Sequence, residues 1–504
     1  MSKNLSPSAS TPGSRQSETV KAPSPPSRVK KRLINTALPV FWLLFAINTV
    51  NFFDRFLAVA VAPTLKSEFH LTDGDIGALS SAFILIYTLA ALPLGLLADR
   101  ASRARVVSIG VAIWSVASGL TGMATGLPLL FATRAGVGIG EASYYPAGTA
   151  LLSAYYSLEK RARIVSRWSS GQLVGVALAF GVSAGLSALL GPMLGWRVAF
   201  LVSAVPGFTL AALMWVVADN PPNAPSESSS YAAEVNAELP PRHEPVLPRL
   251  RLHAGGGLRS AIAQYWAQLA PRLRSALRDL RLILRDVSRI RTIWVVAALQ
   301  ALTFLIITPA VTFLPIYLRS KNGPFHLSET VTDVVAGVVI IVGGLTGQLL
   351  GGNVADYLGK RVRGGRMLTA TVGFGLAVPA FALMLLTQTL VSFVIFGVIA
   401  VLLLNLPIGP VLACAQDVTP EALRASALAL TLLVGHLCGD VWSPWAVGTV
   451  STALHEHVAT SLLIFGVPAL LLATIVGFFG VRIYAAEIRP DAERGSGTAV
   501  VAPH

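Results

Sequence analysis

The sequence reads Gly95-Leu-Leu-Ala-Asp99-Arg100-Ala-Ser-Arg103 after one apolar segment and Gly352-Asn-Val-Ala-Asp356-Tyr357-Leu-Gly-Lys360 after another. Both stretches follow the pattern G-x-x-x-D-x-x-x-(R/K), and they stand at matching positions in the two halves of the chain. A polar loop that recurs in this way indicates an internal repeat. Internal repeats are common in membrane transporters, where the substrate site lies between the repeated units. The chain is therefore predicted to form two packed helical bundles.

The composition is that of a membrane protein. Of the 504 residues 54% are hydrophobic and 13% are charged, whereas a soluble domain carries about 25% charged residues. A helix needs about 20 apolar residues to cross a bilayer, and the mean hydropathy of the chain is +0.65. The predicted spans are 38–61, 75–98, 104–124, 127–153, 163–188, 196–218, 291–318, 330–355, 366–386, 389–412, 424–449 and 458–483. We predict an all-α membrane protein with twelve transmembrane helices in two six-helix bundles, and not an enzyme.

The polar segments divide the chain into five predicted regions. These are a Ser- and Pro-rich cytoplasmic tail (1–32), the first bundle (33–218), a cytoplasmic linker (219–290), the second bundle (291–485) and a short tail (486–504). Late in the linker, leucines and arginines recur at helical spacing between Leu273 and Arg289. This pattern favours a basic amphipathic helix on the membrane surface, and a regulatory or partner-binding helix is the alternative.

The net charge of +14 is distributed unevenly along the chain. One predicted side of the membrane holds nearly all basic loop residues: Lys30, Lys31, Arg32, Arg100, Arg103, Arg105, Lys160, Arg161, Arg163, Lys360, Arg361, Arg363, Arg366 and Arg424. Because Lys and Arg collect on the cytoplasmic side, both termini are predicted to be cytoplasmic, in a bacterial inner membrane. The basic charge then faces anionic membrane lipids and requires no nucleic-acid partner.

The repeated loops are candidate gates. Asp99 can pair with Arg100 and Arg103, or cap the helix that starts near Arg424, because a carboxylate is stabilised at a helix N-terminus. Asp356 and Lys360 hold the same positions in the second half. Such contacts would fasten the cytoplasmic ends of the bundles in one state and break in another. The alternative is a solvated loop with ordinary basic charge.

Four charged residues lie inside predicted spans, Asp54 and Arg55 in the first and Arg134 and Glu141 in the fourth. A charge at the centre of a transmembrane helix costs about 2.5–3.5 kcal/mol on insertion scales, so these residues need partners. We predict a network in which the two carboxylates neutralise the two arginines and exchange a proton with a cavity. A static ion-pair cluster that only fixes packing is the alternative.

The same arginines are the candidate binding groups for an anionic substrate, since guanidinium groups bind phosphate and carboxylate well. Asn51 shares a helical face with Arg55. Further candidate substrate contacts are Tyr87, Tyr144, Trp168, Gln300, His436 and Asp440. His436 and Asp440 stand four residues apart and can meet on one helical face, where a structural hydrogen-bonded pair is an equally good reading.

The sequence predicts no metal site and no cofactor other than protons. Its two cysteines, Cys414 and Cys438, lie in apolar segments and form no CxxC pair. The phosphate-binding motif G-x-x-x-x-G-K-[ST] is not found, so ATP hydrolysis is not expected to drive transport.

The loop motif, combined with Arg134-x-x-x-Gly138-x-Gly140-Glu141, resembles the major facilitator superfamily over residues 35–485. Four further stretches resemble its Spinster branch: Asn51-Phe-Phe-Asp54-Arg55, Gly140-Glu141-Ala142-Ser143-Tyr144, Gly195-Trp196-Arg197 and the segment from His436 to Gly448. That resemblance implies a transporter of lysophospholipids or sphingosine 1-phosphate, with proton coupling. It further implies that Asp54 and Arg55 are the first-span pair, Glu141 the proton-linked glutamate and Arg134 the fourth-span arginine.

Three functions remain open at this point. The first is proton-linked transport of an amphipathic anionic lipid by a monomer. The second is transport of small organic anions or sugar phosphates, because the first-span and Gly-Glu-Ala elements also resemble that branch of the superfamily. The third is a transporter-like sensor that binds without translocating.

Overall fold

The computed structural model describes residues 34–98, 101–156, 158–219, 285–420 and 423–488. Nearly all of these residues are helical, and the described chain holds one isolated β-bridge, between Ile34 and Val217. Several predicted features fall outside the described residues: Lys30 to Arg32, the loop pair Asp99 and Arg100, most of the linker with its basic stripe, and nearly all of the last tail.

The helices of the first bundle precede the linker. They are α1 (Ala37–Ala60), α2 (Ala62–Glu68), α3 (Asp73–Ala98), α4 (Arg103–Thr121), α5 (Leu127–Ala142), α6 (Tyr144–Tyr155), α7 (Leu158–Ser169), α8 (Gly171–Leu190) and α9 (Pro192–Trp215). The helices of the second bundle follow the linker. They are α10 (Arg291–Arg319), α11 (Glu329–Arg361), α12 (Gly365–Leu386), α13 (Leu390–Asn405), α14 (Ile408–Val418), α15 (Arg424–Cys438), α16 (Ser443–Ala453) and α17 (Val458–Glu487).

The described helices account for the twelve membrane spans that the sequence predicts. Eleven segments are long and apolar enough to span a membrane. The remaining span is divided between α5 and α6 at Ser143. Pro146 explains this break, because proline has no N–H to donate to the carbonyl of Ala142 and its ring collides with that carbonyl. The divided span also carries Arg134 and Glu141, which lower its apolar character.

A second interrupted span forms one wall of the space between the bundles. Between α15 and α16 the helix is broken over residues 439–442, just before Pro444. A Cβ on Gly439 would lie 2.5 Å from the carbonyl oxygen of Ala301, so α15 and α10 approach at a distance that only glycine permits. His436 in the last turn of α15 and Asp440 in the break both line the space between the bundles.

Consecutive spans alternate in direction, so the helix ends fall on two sides of the molecule. We call the side with the start of α1 and the ends of α9 and α17 the linker side, and the opposite side the far side. The charge distribution predicts that the linker side is cytoplasmic. On this side the Glu487 carboxylate accepts hydrogen bonds from the N–H groups of Arg291 and Thr292 at 3.1 and 2.9 Å. It thereby satisfies free donors in the first turn of α10.

The two bundles meet mainly through α3 against α16 and α8 against α11. A Cβ on Gly77 would lie 2.1 Å from the carbonyl oxygen of Pro444, so the backbones of α3 and α16 are nearly in contact. Gly77 lies near the far-side start of α3, and Pro444 lies in the far-side half of the span that α15 and α16 form together. The close bundle contact at this point therefore lies on the far side.

Candidate functional site

The centre of the first bundle holds an ion pair between α1 and α5. An Arg55 terminal nitrogen lies 2.7 Å from the Glu141 Oε2 atom, and the Arg55 Nε atom donates to the same oxygen at 3.3 Å. The Glu141 side chain is fully buried, whereas 30% of the Arg55 side chain is exposed. The guanidinium carbon also lies 5.0 Å from the ring centres of both Phe83 and Tyr87, which adds cation–π attraction.

Asp54 stands beside this pair without a hydrogen bond of its own. The residue is fully buried, and neither carboxylate oxygen has a hydrogen-bond partner among the described residues. Its interacting neighbours are Ser203, Ser118, Arg134 and Glu141. The Glu141 Oε1 atom is likewise buried and without a partner in the described chain. A buried carboxylate that is neither paired nor hydrogen-bonded is costly in its charged form.

Arg134 is the second cation of the cluster. A terminal nitrogen donates to the Thr121 hydroxyl at 3.1 Å, and the guanidinium carbon lies 5.4 Å from the Phe200 ring centre. Only 7% of the residue is exposed. The two predicted cations and two predicted carboxylates are therefore brought together, but only Arg55 and Glu141 form a direct ion pair.

A cavity of about 370 Å³ lies next to this cluster, between the bundles. Arg55 and Arg134 line it from the first bundle, and His436 and Asp440 line it from the second. Most of the remaining wall is apolar: Phe52, Phe56, Val59, Leu65, Ile76, Leu79, Phe83, Ile84, Leu130, Phe200, Phe304, Ile307 and Val311. The cavity therefore offers cationic groups on one wall and a long apolar surface around them.

His436 and Asp440 form a pair on the opposite wall. The His436 Nδ1 atom lies 3.0 Å from an Asp440 carboxylate oxygen. The imidazole stacks on the Phe304 ring, with centroids 4.7 Å apart and planes inclined by 10°. This contact holds the ring in place, so the pair is both structural and accessible from the cavity.

Several predicted substrate contacts do not line this cavity. The Tyr144 hydroxyl donates to the Leu44 carbonyl at 2.6 Å and accepts from the Trp168 Nε1 atom at 2.7 Å, and both aromatic residues are buried. These two side chains brace α1 instead of facing the cavity, because their polar atoms are used within the first bundle. Tyr87 contacts Arg55, and Asn51 and Gln300 are buried outside the cavity wall.

The sequence profile of the Major Facilitator Superfamily matches residues 44–444. The chain belongs to the Major Facilitator Superfamily. Among its relatives is protein spinster homolog 1 of Xenopus laevis, which is 24% identical over 449 residues, covering 87% of this chain and 78% of that protein. Another is the probable L-galactonate transporter of Escherichia coli (strain K12), 32% identical over 181 residues, or 36% of this chain and 38% of that protein.

Solved structures of the superfamily show the same fold. A bacterial homologue of the human lysosomal transporter Spinster, inward-facing and unoccupied, superposes with a TM-score of 0.66 at 20% identity, covering 92% of this chain and 98% of that one. A nucleoside transporter superposes with a TM-score of 0.61 at 13% identity, covering 89% and 100%. The predicted all-α fold with two six-helix bundles is thus confirmed. The protein is a multi-pass membrane transporter of this superfamily that is similar to Spinster proteins, and it is not an enzyme.

On the linker side, Asp356 of the second loop motif contacts a residue of its own bundle. Asp356 lies 3.5 Å from Arg366, which contacts both carboxylate oxygens of Asp417 at 2.6 and 2.7 Å. The Tyr484 hydroxyl donates to the same carboxylate. Among the other predicted gate residues, Lys360 and Arg424 are exposed and Arg103 begins α4. The sequence analysis missed Asp417 and Tyr484, although an acidic residue near the end of an apolar span was a signal for the first.

The far side carries polar contacts between the bundles that the sequence analysis also missed. Glu329 on α11 accepts hydrogen bonds from Thr64 and Ser187 of the first bundle, both at 2.7 Å. Arg319, at the end of α10, donates to the same carboxylate at 3.0 Å.

A second far-side contact lies around Lys66, whose ammonium pairs with Asp73 at 2.6 Å and with Glu456 of the second bundle at 3.0 Å. The Ser451 hydroxyl, also from the second bundle, donates to Asp73 at 2.6 Å. The hydrogen bonds that join the two bundles within the described residues therefore lie on the far side, which is closed.

Proposed function

We propose that this transporter moves an amphipathic anion, a single-chain lipid such as a lysophospholipid or a sphingoid phosphate, by proton-linked alternating access. The cavity carries the proposal, because it combines Arg55 and Arg134 with an extended apolar wall. An anionic head group has two guanidinium partners there, and a hydrocarbon tail has an aromatic and aliphatic surface. The resemblance to the Spinster branch supports a lipid of this kind.

Arg134 is the better anchor for the head group. A guanidinium group carries five N–H donors, and the Thr121 hydroxyl uses one of them. A phosphate or carboxylate can therefore bind Arg134 without first breaking an ion pair. Arginine also binds such anions in a two-pronged geometry that lysine does not reproduce.

Arg55 links the substrate to the proton. In the structure its guanidinium is occupied by Glu141. An anionic head group would compete with Glu141 for this cation, and a proton on Glu141 would release Arg55 to the substrate. Asp54 shares the site, so the protonation step belongs to the cluster and not to one residue.

Alternating access then requires contacts that open one side when the other closes. The far-side contacts around Glu329 and Lys66 hold the bundles together in the described state. We propose that Asp99, Arg100, Arg103 and Arg424 provide the corresponding closure on the linker side. In this proposal the protein acts as a monomer with both termini in the cytoplasm.

The substrate class can be tested by ligand-induced thermal stabilisation of the protein in lipid nanodiscs. Lysophosphatidate is compared with monoacylglycerol of the same chain length, which lacks the charge, and with glycerol 3-phosphate, which lacks the tail. We expect lysophosphatidate alone to raise the unfolding temperature clearly. Equal stabilisation by the neutral lipid would show that the arginines do not recognise the negative charge of the head group.

Transport of a small organic anion is the second candidate. The relative named as a probable L-galactonate transporter favours it, since that name denotes a compact carboxylate. The arginines would serve such a solute as well. Stabilisation by L-galactonate or glycerol 3-phosphate that equals stabilisation by lysophosphatidate would favour this candidate over the lipid.

A further inference from the structure

A second carboxylate without a partner lies on the far side, away from the Asp54 and Glu141 cluster. Asp333 on α11 is fully buried, and neither of its carboxylate oxygens has a hydrogen-bond partner among the described residues. It lies where α11 packs against α8 of the first bundle. The burial of Asp333 therefore depends on the contact between the bundles.

The surroundings of Asp333 do not neutralise it directly. The charged groups that face it are Glu329 on its own helix and Arg319 at the end of α10, and α8 faces it with the Ser183 hydroxyl. Arg319 pairs with Glu329 at 3.0 Å. Glu329 stands one turn before Asp333, and two negative charges at this spacing repel each other.

Glu329 and Asp333 thus differ although they are neighbours. Both oxygens of Glu329 accept hydrogen bonds, from Thr64, Ser187 and Arg319. None of these groups donates a hydrogen bond to Asp333. The hydroxyl oxygen of Ser183 is also without a hydrogen-bond partner in the described chain. An ionised carboxylate buried in this way loses its hydration, and the Ser183 hydroxyl and the Arg319 charge compensate for only part of that loss. A protonated carboxyl carries no net charge and can donate to a neighbouring oxygen.

We propose that Asp333 is a second proton-binding site, which holds a proton while the far side is closed and releases it when the bundles separate. Separation removes α8 from Asp333 and admits water, which stabilises the ionised form. The inference goes beyond the proposed function, because it concerns the far-side contact and does not depend on which solute is transported. It also assigns a proton role to the second bundle.

The sign of the pH dependence follows from this linkage. Since the closed far side binds one more proton than the open one, lowering the pH favours closure and raising it favours opening. For one linked proton the ratio of closed to open molecules changes by up to about tenfold per pH unit. The slope of the logarithm of this ratio against pH therefore counts the linked protons.

The test measures the distance between spin labels at Leu189→Cys on α8 and Val331→Cys on α11, both exposed positions near the far side. The background carries Cys414→Ala and Cys438→Ala. Distance distributions are recorded over a pH series in the background protein, in Asp333→Asn and in Asp286→Asn, which removes an exposed carboxylate. We expect the slope to fall by about one proton in Asp333→Asn and to stay unchanged in Asp286→Asn. An unchanged slope in Asp333→Asn overturns the proposal.

A second measurement uses the wild-type protein and needs no variant that might fold poorly. Carbodiimides react with protonated carboxyl groups, so dicyclohexylcarbodiimide should modify Asp333 in the closed state, with labelling that declines as the pH rises. Peptide mass spectrometry locates the modification. Labelling at Asp333 that does not decline as the pH rises overturns the proposal.

Two controls separate this proposal from others. Repeating the distance measurements with Na⁺ replaced by choline tests whether the site binds a metal cation, and a distribution that follows Na⁺ instead of pH overturns the proton assignment. Glu141→Gln should keep the Asp333-dependent part of the slope. A failure of the proton role at Glu141 is then distinguishable from a failure at Asp333.

Discussion

The two bundles face one cavity with different chemistry. The first bundle contributes both arginines and places two carboxylates directly behind them, at Asp54 and Glu141. The second bundle contributes an apolar surface and the pair of His436, which is partly exposed, and Asp440, which is buried. In the proposed mechanism, head-group binding and the proton step next to the cavity both belong to the first bundle, while the second bundle completes the cavity and carries much of the far-side closure.

The largest expected effect concerns Arg134. Arg134→Ala should weaken binding of a single-chain phosphate lipid by about a hundredfold or more, because the loss of one partner of a buried charged contact costs about 2–5 kcal/mol. Arg134→Lys should recover part of the affinity. Binding is measured in nanodiscs by calorimetry, with monodispersity of the purified variants as the folding control. Wild-type affinity in Arg134→Ala would show that the head group is not bound by this arginine of the first bundle.

The next effect concerns closure between the bundles. Lys66→Ala should shift the equilibrium towards an open far side by about tenfold, since it leaves buried Asp73 with the Ser451 hydroxyl but without its cation. Lys321→Ala, at an exposed residue on the same side, is the matched control. The distance between spin labels at Leu189→Cys and Val331→Cys reports the shift. Equal distributions in both variants would show that Lys66 does not hold the far side closed.

The smallest effect is expected at the opposite wall. His436→Ala should reduce substrate affinity only a few-fold, because the imidazole is held by Phe304 and Asp440 on the wall opposite the two arginines. The control is Trp445→Ala, an exposed aromatic residue beyond the cavity wall. A loss at His436 as large as that at Arg134 would abolish the asymmetry between the bundles.

The fold was predictable from the sequence because apolar stretches mark the membrane spans and the repeated loop marks matching positions in the two bundles. The sequence also correctly predicted that Asp54, Arg55, Arg134 and Glu141 lie close together, because charged side chains inside apolar helices are costly unless they have partners of opposite charge. Helical spacing does not determine which carboxylate pairs with which arginine. In the structure Arg55 pairs with Glu141, whereas Asp54 receives no hydrogen bond from a described residue.

Other features depend on contacts between distant segments. Tyr144 looked like a cavity residue in the sequence, but its hydroxyl bonds to the α1 backbone and to Trp168. Glu329 and Asp333 lie at one end of a span, where acidic residues are ordinary. Only the packing of α8 against α11 reveals that one carboxylate is satisfied and the other is not.

The central claim is that the first-bundle cluster ties transport to protons, and Glu141→Gln tests it most directly. The substitution mimics the protonated form and frees Arg55 permanently. Uptake of a single-chain phosphate lipid into proteoliposomes is measured under a proton gradient and as counterflow at equal pH, with Asp286→Asn as the control. We expect Glu141→Gln to lose gradient-driven accumulation while counterflow partly survives, since exchange need not move the proton. Accumulation at the wild-type level in Glu141→Gln would contradict the account and reduce Glu141 to a packing residue.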